Sequence, residues 1–345
     1  MRPLSIALLG ATGAVGRALL DVLSEGELPV ASVRALASER TAGEELEFQG
    51  DALRVEAVRD GAFRGVDVAF LAAPAAVAKA WAGKVRAEGA LAVDLSPAFR
   101  VEPDVPLVVA GLNESALTAP PPRGLVSVPG APVVHLATAL APIRAAFGLA
   151  RVQVTALEAV SAAGQRGVEQ LEAELRAMLS FQEPPLASAV AHRAAFNVVP
   201  QAGAFGPSGA SEEELGLTVE LARVLGPPFF RIAATVVRVP VFHGHLHAVS
   251  LATERAAKVE DVREALRSAQ CVKVLDAPGE GVYPMPMLAV NDDAVLVGRV
   301  RADPTVERGL ALVVVGDNLR QGAAVNAVRV SKLLAERHLS GTHLA

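Results

Sequence analysis

Ile6-Ala7-Leu8-Leu9-Gly10-Ala11-Thr12-Gly13-Ala14-Val15-Gly16-Arg17-Ala18-Leu19-Leu20-Asp21-Val22-Leu23 decides the fold class. The first four residues are apolar without polar alternation, as in a strand buried on both faces. Three glycines spaced G-x-x-G-x-x-G follow, and Arg17 to Leu23 then runs at helical spacing. A strand that passes through glycines into a helix leaves backbone N–H groups unpaired at the positive end of the helix dipole, where an anion binds. Glycine lets a pyrophosphate approach the main chain. The segment reads as a dinucleotide-binding turn with Gly10, Thr12, Gly13, Ala14 and Val15 as cofactor contacts. A tight turn without a ligand is the alternative.

Working outward, Val33 to Ala37 is the next strand, followed by Ser38-Glu39-Arg40-Thr41-Ala42-Gly43. An NAD-selective site commonly ends this strand in an acid that holds the ribose hydroxyls. Here Ser38, Arg40 and Thr41 suit a 2′-phosphate, so NADP is favoured over NAD, although Glu39 lies in the same segment. Val66–Ala72 and Ala90–Leu95 read as further strands, with a helix over Ala75–Glu88 between them. Strand–helix alternation with short loops predicts an α/β fold with a parallel, doubly wound sheet.

The pattern changes after Ala119-Pro120-Pro121-Pro122-Arg123. Helices are expected over Val134–Phe147 and Val168–Leu179. Strands are expected over Arg151–Leu157, Ile232–Val241, Ala248–Thr253, Val295–Val300 and Leu310–Val315, as in a mixed sheet with helices on one face. A last helix runs from Gly322 to Leu339. The expected domains are residues 1–127 with 317–345, and residues 128–316.

Composition excludes several function classes. The net charge of −5 comes from interspersed residues of both signs, so no basic patch or acidic tail announces a nucleic acid or membrane partner. Val68–Ala78, the longest apolar stretch in the first third, contains Pro74 and falls short of the roughly 20 residues a spanning helix needs. One cysteine, Cys271, cannot form an internal disulfide, and this fits a reducing, cytoplasmic setting. Cys271 reads as the small, buried start of a strand rather than a nucleophile. His243, His245 and His247 alternate as zinc ligands on a strand would, but Gly244 indicates a turn and no fourth ligand sits nearby, so no metal is expected.

Six segments in register then carry a family likeness over nearly the whole chain: the Gly10–Gly16 loop, Ala37–Gly43, Ala98-Phe99-Arg100 with Asp104–Val109, Val160–Gly164, Arg238–Val241 with Gly244-His245, and Asp317–Ala324. In these the sequence resembles aspartate-semialdehyde dehydrogenases. The resemblance implies a Rossmann domain, a dimerising α+β substrate domain, a C-terminal helix returning to the Rossmann domain, NADP, and chemistry on aspartyl phosphate or its semialdehyde. It also implies Gly164 and Asn318 as further cofactor contacts, His245 as the acid/base, and Arg100, Glu213 and Arg238 as substrate ligands.

The family attacks its carbonyl with a cysteine thiolate, which is strongly nucleophilic near neutral pH and leaves readily. Counting back from Ala139-Leu140-Ala141-Pro142, the cysteine position falls on Ala131, with Pro132 next to it. The family glutamine corresponds to Glu158, and the lysine of a substrate-binding Glu-x-x-Lys pair to Gly216. In these departures the chain is similar to the cysteine-less, Usg-type branch of the family. Ser127 lies in the nucleophile loop without a base legible in sequence, and His135 reads equally as pocket-facing or as a helix-surface residue. Three functions are in contention. They are a catalytically impaired homologue binding NADP and a small anionic metabolite, an NADP-dependent oxidoreductase working without a thioester, and a non-catalytic dimeric interaction protein.

Overall fold

The computed structural model describes residues 1–339; the expected last six residues of the first domain, 340–345, lie outside them. The chain forms two compact units, one running from Met1 to Gly130 and resuming at Ala323, the other from Ala131 to Gly322. The second crossing therefore comes after Gly322 rather than before Asp317. The reason is local: β13 (Gly309–Gly316) runs straight into a turn whose Asp317 carboxylate accepts from the Asn291, Leu319 and Arg320 amides, at 2.9 Å each. Those bonds fasten the Asp317 turn to the second unit.

The first unit contains β1 (Leu4–Leu9), α1 (Ala14–Ser24), β2 (Val30–Ala37), β3 (Glu45–Phe48), β4 (Asp51–Ala57), β5 (Val68–Leu71), α2 (Ala75–Ala87), β6 (Leu91–Asp94) and β7 (Leu125–Ser127). They form one sheet in the order β3-β4-β2-β1-β5-β6-β7, parallel except for the β3–β4 hairpin. β1 shows why it needs no polar alternation. Leu4, Ile6 and Leu8 join the core under α1 and the last helix, whereas Ala7 and Leu9 join a second core under α2. The hairpin was not anticipated. Its turn is Gln49-Gly50, both at positive φ, a two-residue connection that matches strand twist.

The second unit opens with α3 (Ala131–Phe147), followed by β8 (Arg151–Glu158), α4 (Gln165–Leu179), α5 (Glu212–Leu225), β9 (Arg231–Arg238), β10 (His245–Ala252), α6 (Val259–Arg267), β11 (Val272–Val274), the short α7 (Pro286–Ala289), β12 (Val295–Asp303) and β13. The mixed sheet runs β11-β12-β13-β10-β8-β9, with α3, α5 and α6 packed against it. α8 (Asn326–Leu334) returns to the first unit and packs against α1 and β6. Residues 320–325 and 335–339 on either side of it are wound as π-helix, so the helix expected from Gly322 to Leu339 is present and changes its winding at both ends. Among the described residues no helix is long and apolar enough to cross a membrane.

Two buried polar side chains of α4 hold a loop without secondary structure of its own. Gln170 Oε1 accepts from the backbone amides of Ser188, Ala189 and Val190, and Glu174 Oε2 from those of Ala194 and Ala195. Gln170 Nε2 donates to Glu174 Oε1 at 2.8 Å, so the two act together.

Candidate active site

In the first unit the glycine loop is built for close approach. Gly10 has φ +93°, and a Cβ there would lie 2.2 Å from the Ala72 carbonyl oxygen; a Cβ on Gly16 would lie 2.2 Å from the Gly10 oxygen. Only hydrogen fits at either position. Gly13 caps α1 with backbone alone, so no side chain occupies the first amides of the helix, at Ala14 and Val15. Thr12 Oγ1 lies 3.3 Å from Thr41 Oγ1, which joins this loop to the turn after β2. In that turn Glu39 pairs with Arg59 at 3.3 Å, while Arg40 is exposed and has no ion-pair partner among the described residues.

At the ends of β6 and β7 lies a buried carboxyl. Asp94 Oδ1 accepts from the Ser96 hydroxyl at 2.7 Å and the Ser96 amide at 3.1 Å; Oδ2 accepts from the Ser127 hydroxyl at 3.4 Å. Burial pushes its pKa up to about 6 against the pull of these donors and of Arg100. Asp94 is thus the partner for Ser127 that sequence could not supply, but both are fully buried. Arg100 donates from Nε to the Val128 carbonyl and from Nη2 to the Leu95 carbonyl, so two of its nitrogens brace the loop.

The second unit assembles its site across one row of the sheet. Arg238 on β9 is in register with Glu158 on β8, and His245 on β10 is in register with Gly316 on β13. His245 follows on from the Leu246–Leu157 pair to fall opposite Glu158, and its Nδ1 accepts from the Ala159 amide at 3.1 Å. Residues opposed in this way share a face of the sheet. That bond leaves the proton of neutral His245 on Nε2. Arg238 donates from Nη1 to Glu158 Oε2 at 2.7 Å and from Nη2 to Glu213 Oε1, in the first turn of α5, at 2.9 Å. Glu158 Oε1 is buried and has no hydrogen-bond partner.

Gly316 ends the row because a Cβ there would lie 2.5 Å from the His135 ring. His135 Nε2 lies 3.3 Å from the Asp317 carbonyl oxygen, which can only accept. His135 Nδ1 is then the acceptor for His247 Nε2 at 3.2 Å, and His247 Nδ1 is left buried without a partner. Burial holds His135 down at about 4, and keeps His245 and His247 well below the ordinary histidine range. All three are neutral near pH 7. Ala131 begins α3 one turn before His135, with Gly322 so close that a Cβ on that glycine would lie 2.5 Å from the Ala131 methyl.

The two units match separate family models, a semialdehyde dehydrogenase NAD binding domain over residues 5–119 and a semialdehyde dehydrogenase dimerisation domain over residues 140–321. The aspartate-semialdehyde dehydrogenase of Aquifex aeolicus is 38% identical over 97% of this chain and 98% of its own length. The chain belongs to the aspartate-semialdehyde dehydrogenase family. The Synechocystis enzyme of that name is 37% identical over 97% of the chain and 98% of its own. Aspartate semialdehyde dehydrogenase II of Vibrio cholerae, solved in complex with ASA, superposes with a TM-score of 0.94 at 33% identity, covering 98% of this chain and all of that one.

Within this member of the family, several expected site residues have positions that sequence did not give. Gly164 lies at φ +75° as the N-cap of α4. The amide of Asn318 is engaged inside its own unit: Nδ2 donates to Ser161 Oγ at 3.0 Å and Oδ1 accepts from the Gly244 amide at 2.9 Å. His135 is buried against the sheet, which removes the helix-surface reading. Cys271 is exposed at φ +59° ahead of the edge strand β11, not buried as a small hydrophobe would be. The strand expected from Ala248 starts at His245, because positive φ at Gly244 completes the turn one residue earlier. His245 and His247 therefore share a buried face. His247 was missed as a partner for His135, although the alternating histidines were its signal. Among the described residues no group of three side chains is placed to hold a metal.

Proposed function

We propose that the protein is an NADP(H)-binding member of the cysteine-less, Usg-type branch, without phosphate-dependent dehydrogenase activity toward aspartate semialdehyde. The observation that carries this is the methyl of Ala131 at the first residue of α3, where the resemblance puts a thiolate. Cys271 offers no substitute, since β12 separates its strand from the end of the row at Gly316. Removing a covalent nucleophile costs factors of about 10⁴ or more. Phosphate-dependent NADP reduction with the semialdehyde should be absent or lower by that order, and turnover at the rate of a cysteine-bearing relative would overturn the reading. Ala131→Cys alone should rescue little, because Glu158 and Gly216 remain.

The cofactor would lie on Gly10, Thr12, Gly13, Ala14 and Val15, with its 2′-phosphate on Ser38, Arg40 and Thr41. Gly164 and Asn318 remain secondary candidates. The Glu39–Arg59 pair supports NADP over NAD, since it engages the one acid of that segment and leaves Arg40 without a carboxylate. Arg40→Ala should weaken NADPH binding, read by its fluorescence, and leave NADH nearly unchanged; equal effects would remove the preference. When bound, the cofactor supplies hydride chemistry. The retained His245 offers a neutral N–H donor for such chemistry, with Glu213 and Arg238 beside it for a small metabolite.

A homodimer in the cytoplasm completes the reading. The helices α3, α5 and α6 cover one face of the second sheet, whereas Gln153, Ala233, Thr235 and Ala248 are exposed on its strands. A sheet face of small residues needs a cover, and a second copy supplies one. Sedimentation showing only a 35.6 kDa species at micromolar concentration would oppose this.

A further inference from the structure

The first sheet opens where β2 and β4 part. The two strands pair only over residues 35–37 and 55–57, so Val33 and Arg34 on one side and Leu53 and Arg54 on the other have no partner across the gap. A cavity of about 240 Å³ occupies this gap, lined also by Gly65 and Val66 ahead of β5. β1 meets it at Ser5 and Ile6, near its first residue, whereas the glycine loop follows the other end of that strand. The cavity is therefore separate from the cofactor turn.

Three charged side chains, Arg34, Arg54 and Glu56, line it. Leu36 belongs to the core under α2 and is in register with Glu56. Arg34 and Arg54, two residues earlier on their strands, share that face of the sheet. None of the three pairs with another. Arg54 and Glu56 make no side-chain hydrogen bond or ion pair among the described residues. Register puts Glu45 of β3 opposite Arg54, yet the two form no ion pair, and Arg54 lines the cavity instead. Arg34 donates from Nη1 to the Ala62 carbonyl, which anchors the guanidinium and leaves its other donors available. Two cations and a carboxylate thus surround one small space without neutralising each other. Val33, Leu53 and Val66 add an apolar lining. The volume is below the range of pockets for drug-sized molecules and suits something of amino-acid size.

We propose that this cavity binds a free aliphatic α-amino acid, with its carboxylate on Arg34 and Arg54, its ammonium on Glu56 and its side chain against Val33 and Leu53. A guanidinium fork matches a carboxylate, and charge assistance makes such bonds strong. A simple anion would satisfy the arginines but meet Glu56, and a simple amine would satisfy Glu56 but meet the arginines. The like charge in each case rejects the incomplete ligand. A zwitterion answers both demands at once.

Calorimetry on the full-length protein tests this with L-leucine, 4-methylpentanoate, which lacks the amine, and 3-methylbutylamine, which lacks the carboxylate. L-Leucine should bind, and each analogue should bind about tenfold or more weakly. Arg54→Gln and Glu56→Gln should each weaken leucine by a similar factor. Glu56→Gln should also bring 4-methylpentanoate close to leucine, because it removes both the partner of the ammonium and the repulsion of the acid. Arg54 and Glu56 are exposed, so both variants should keep the wild-type denaturation midpoint. No binding of leucine to the wild type would overturn the proposal, as would 4-methylpentanoate binding it equally well. Leucine binding that survives Arg54→Gln unchanged would place the amino acid elsewhere and overturn it too. No arm uses NADPH or dehydrogenase turnover, so the outcome is independent of the assignment of function.

Discussion

Asp94 and Glu158 end strands in different units, both are fully buried, and both are shifted upward by burial. Their surroundings differ in kind. Asp94 is met by hydroxyl and amide donors on both oxygens, so its charge is dispersed over neutral groups and its pKa settles at about 6. Glu158 has one oxygen on a guanidinium that it shares with Glu213, and the other on nothing. The comparison separates two ways of keeping a carboxyl inside a protein. Hydroxyl donors hold a group that can still ionise, whereas a cation shared between two acids holds one that keeps its proton.

Breaking the cation should do most damage. Arg238→Met leaves both oxygens of the buried Glu158 without a donor and Glu213 without its cation, and should cost about 3 kcal/mol or more, since a buried group is stripped of its remaining hydrogen bond and an ion pair is lost with it. Denaturant unfolding reads this as a lowered midpoint with an unchanged slope. Breaking the hydroxyl side should do less. Ser96→Ala removes one donor from Asp94 and leaves the amide and Ser127 in place, a loss of about 1–3 kcal/mol on the same assay. Equal costs at the two sites would erase the distinction.

The pH dependence sharpens it within a narrow window. The folded pKa of Asp94, about 6, lies above the ordinary 3.8, so its contribution to stability is fully present below 3.8 and is lost as pH rises through about 6. His135 has the opposite sign: its folded pKa of about 4 lies below the ordinary 6.5, so stability is lost as pH falls between these values. The two partly offset one another in the wild type. Asp94→Asn removes only the first, so stability should fall more steeply than in the wild type as pH drops from 6 to 4. An unchanged slope would mean that Asp94 does not titrate there.

The same contrast shows what sequence could and could not reveal. The dinucleotide turn was legible because its function is written in backbone: Gly10 and Gly16 are glycines for lack of space, and a contiguous stretch contains the whole device. The row in the second unit draws on Glu158, Arg238, His245 and Gly316 from four strands, and only strand register places them side by side. Sequence supplied Glu158, Arg238 and His245 by resemblance, but not Gly316, and it noted Glu158 and Gly216 as departures. It gave no sign that Arg238 is occupied by two carboxyl groups or that His247 reaches His135. α5 was not expected from sequence, although Ser211 and Glu214 spell its capping box. Pro132 looked like a disturbance of the nucleophile loop and is instead the second residue of α3, a position where its missing N–H is not needed.

The loop fastened to α4 has a consequence for how the second unit opens. Five amides from Ser188 to Ala195 end on two side chains, and those two are bonded to each other. Such amides cannot exchange their hydrogens one at a time, because releasing Gln170 frees three together and removes a donor from Glu174. The segment should behave as a single cooperative opening unit, protected from deuterium and from proteases to a common degree. Its protection is set by a latch on a neighbouring helix rather than by any structure of its own.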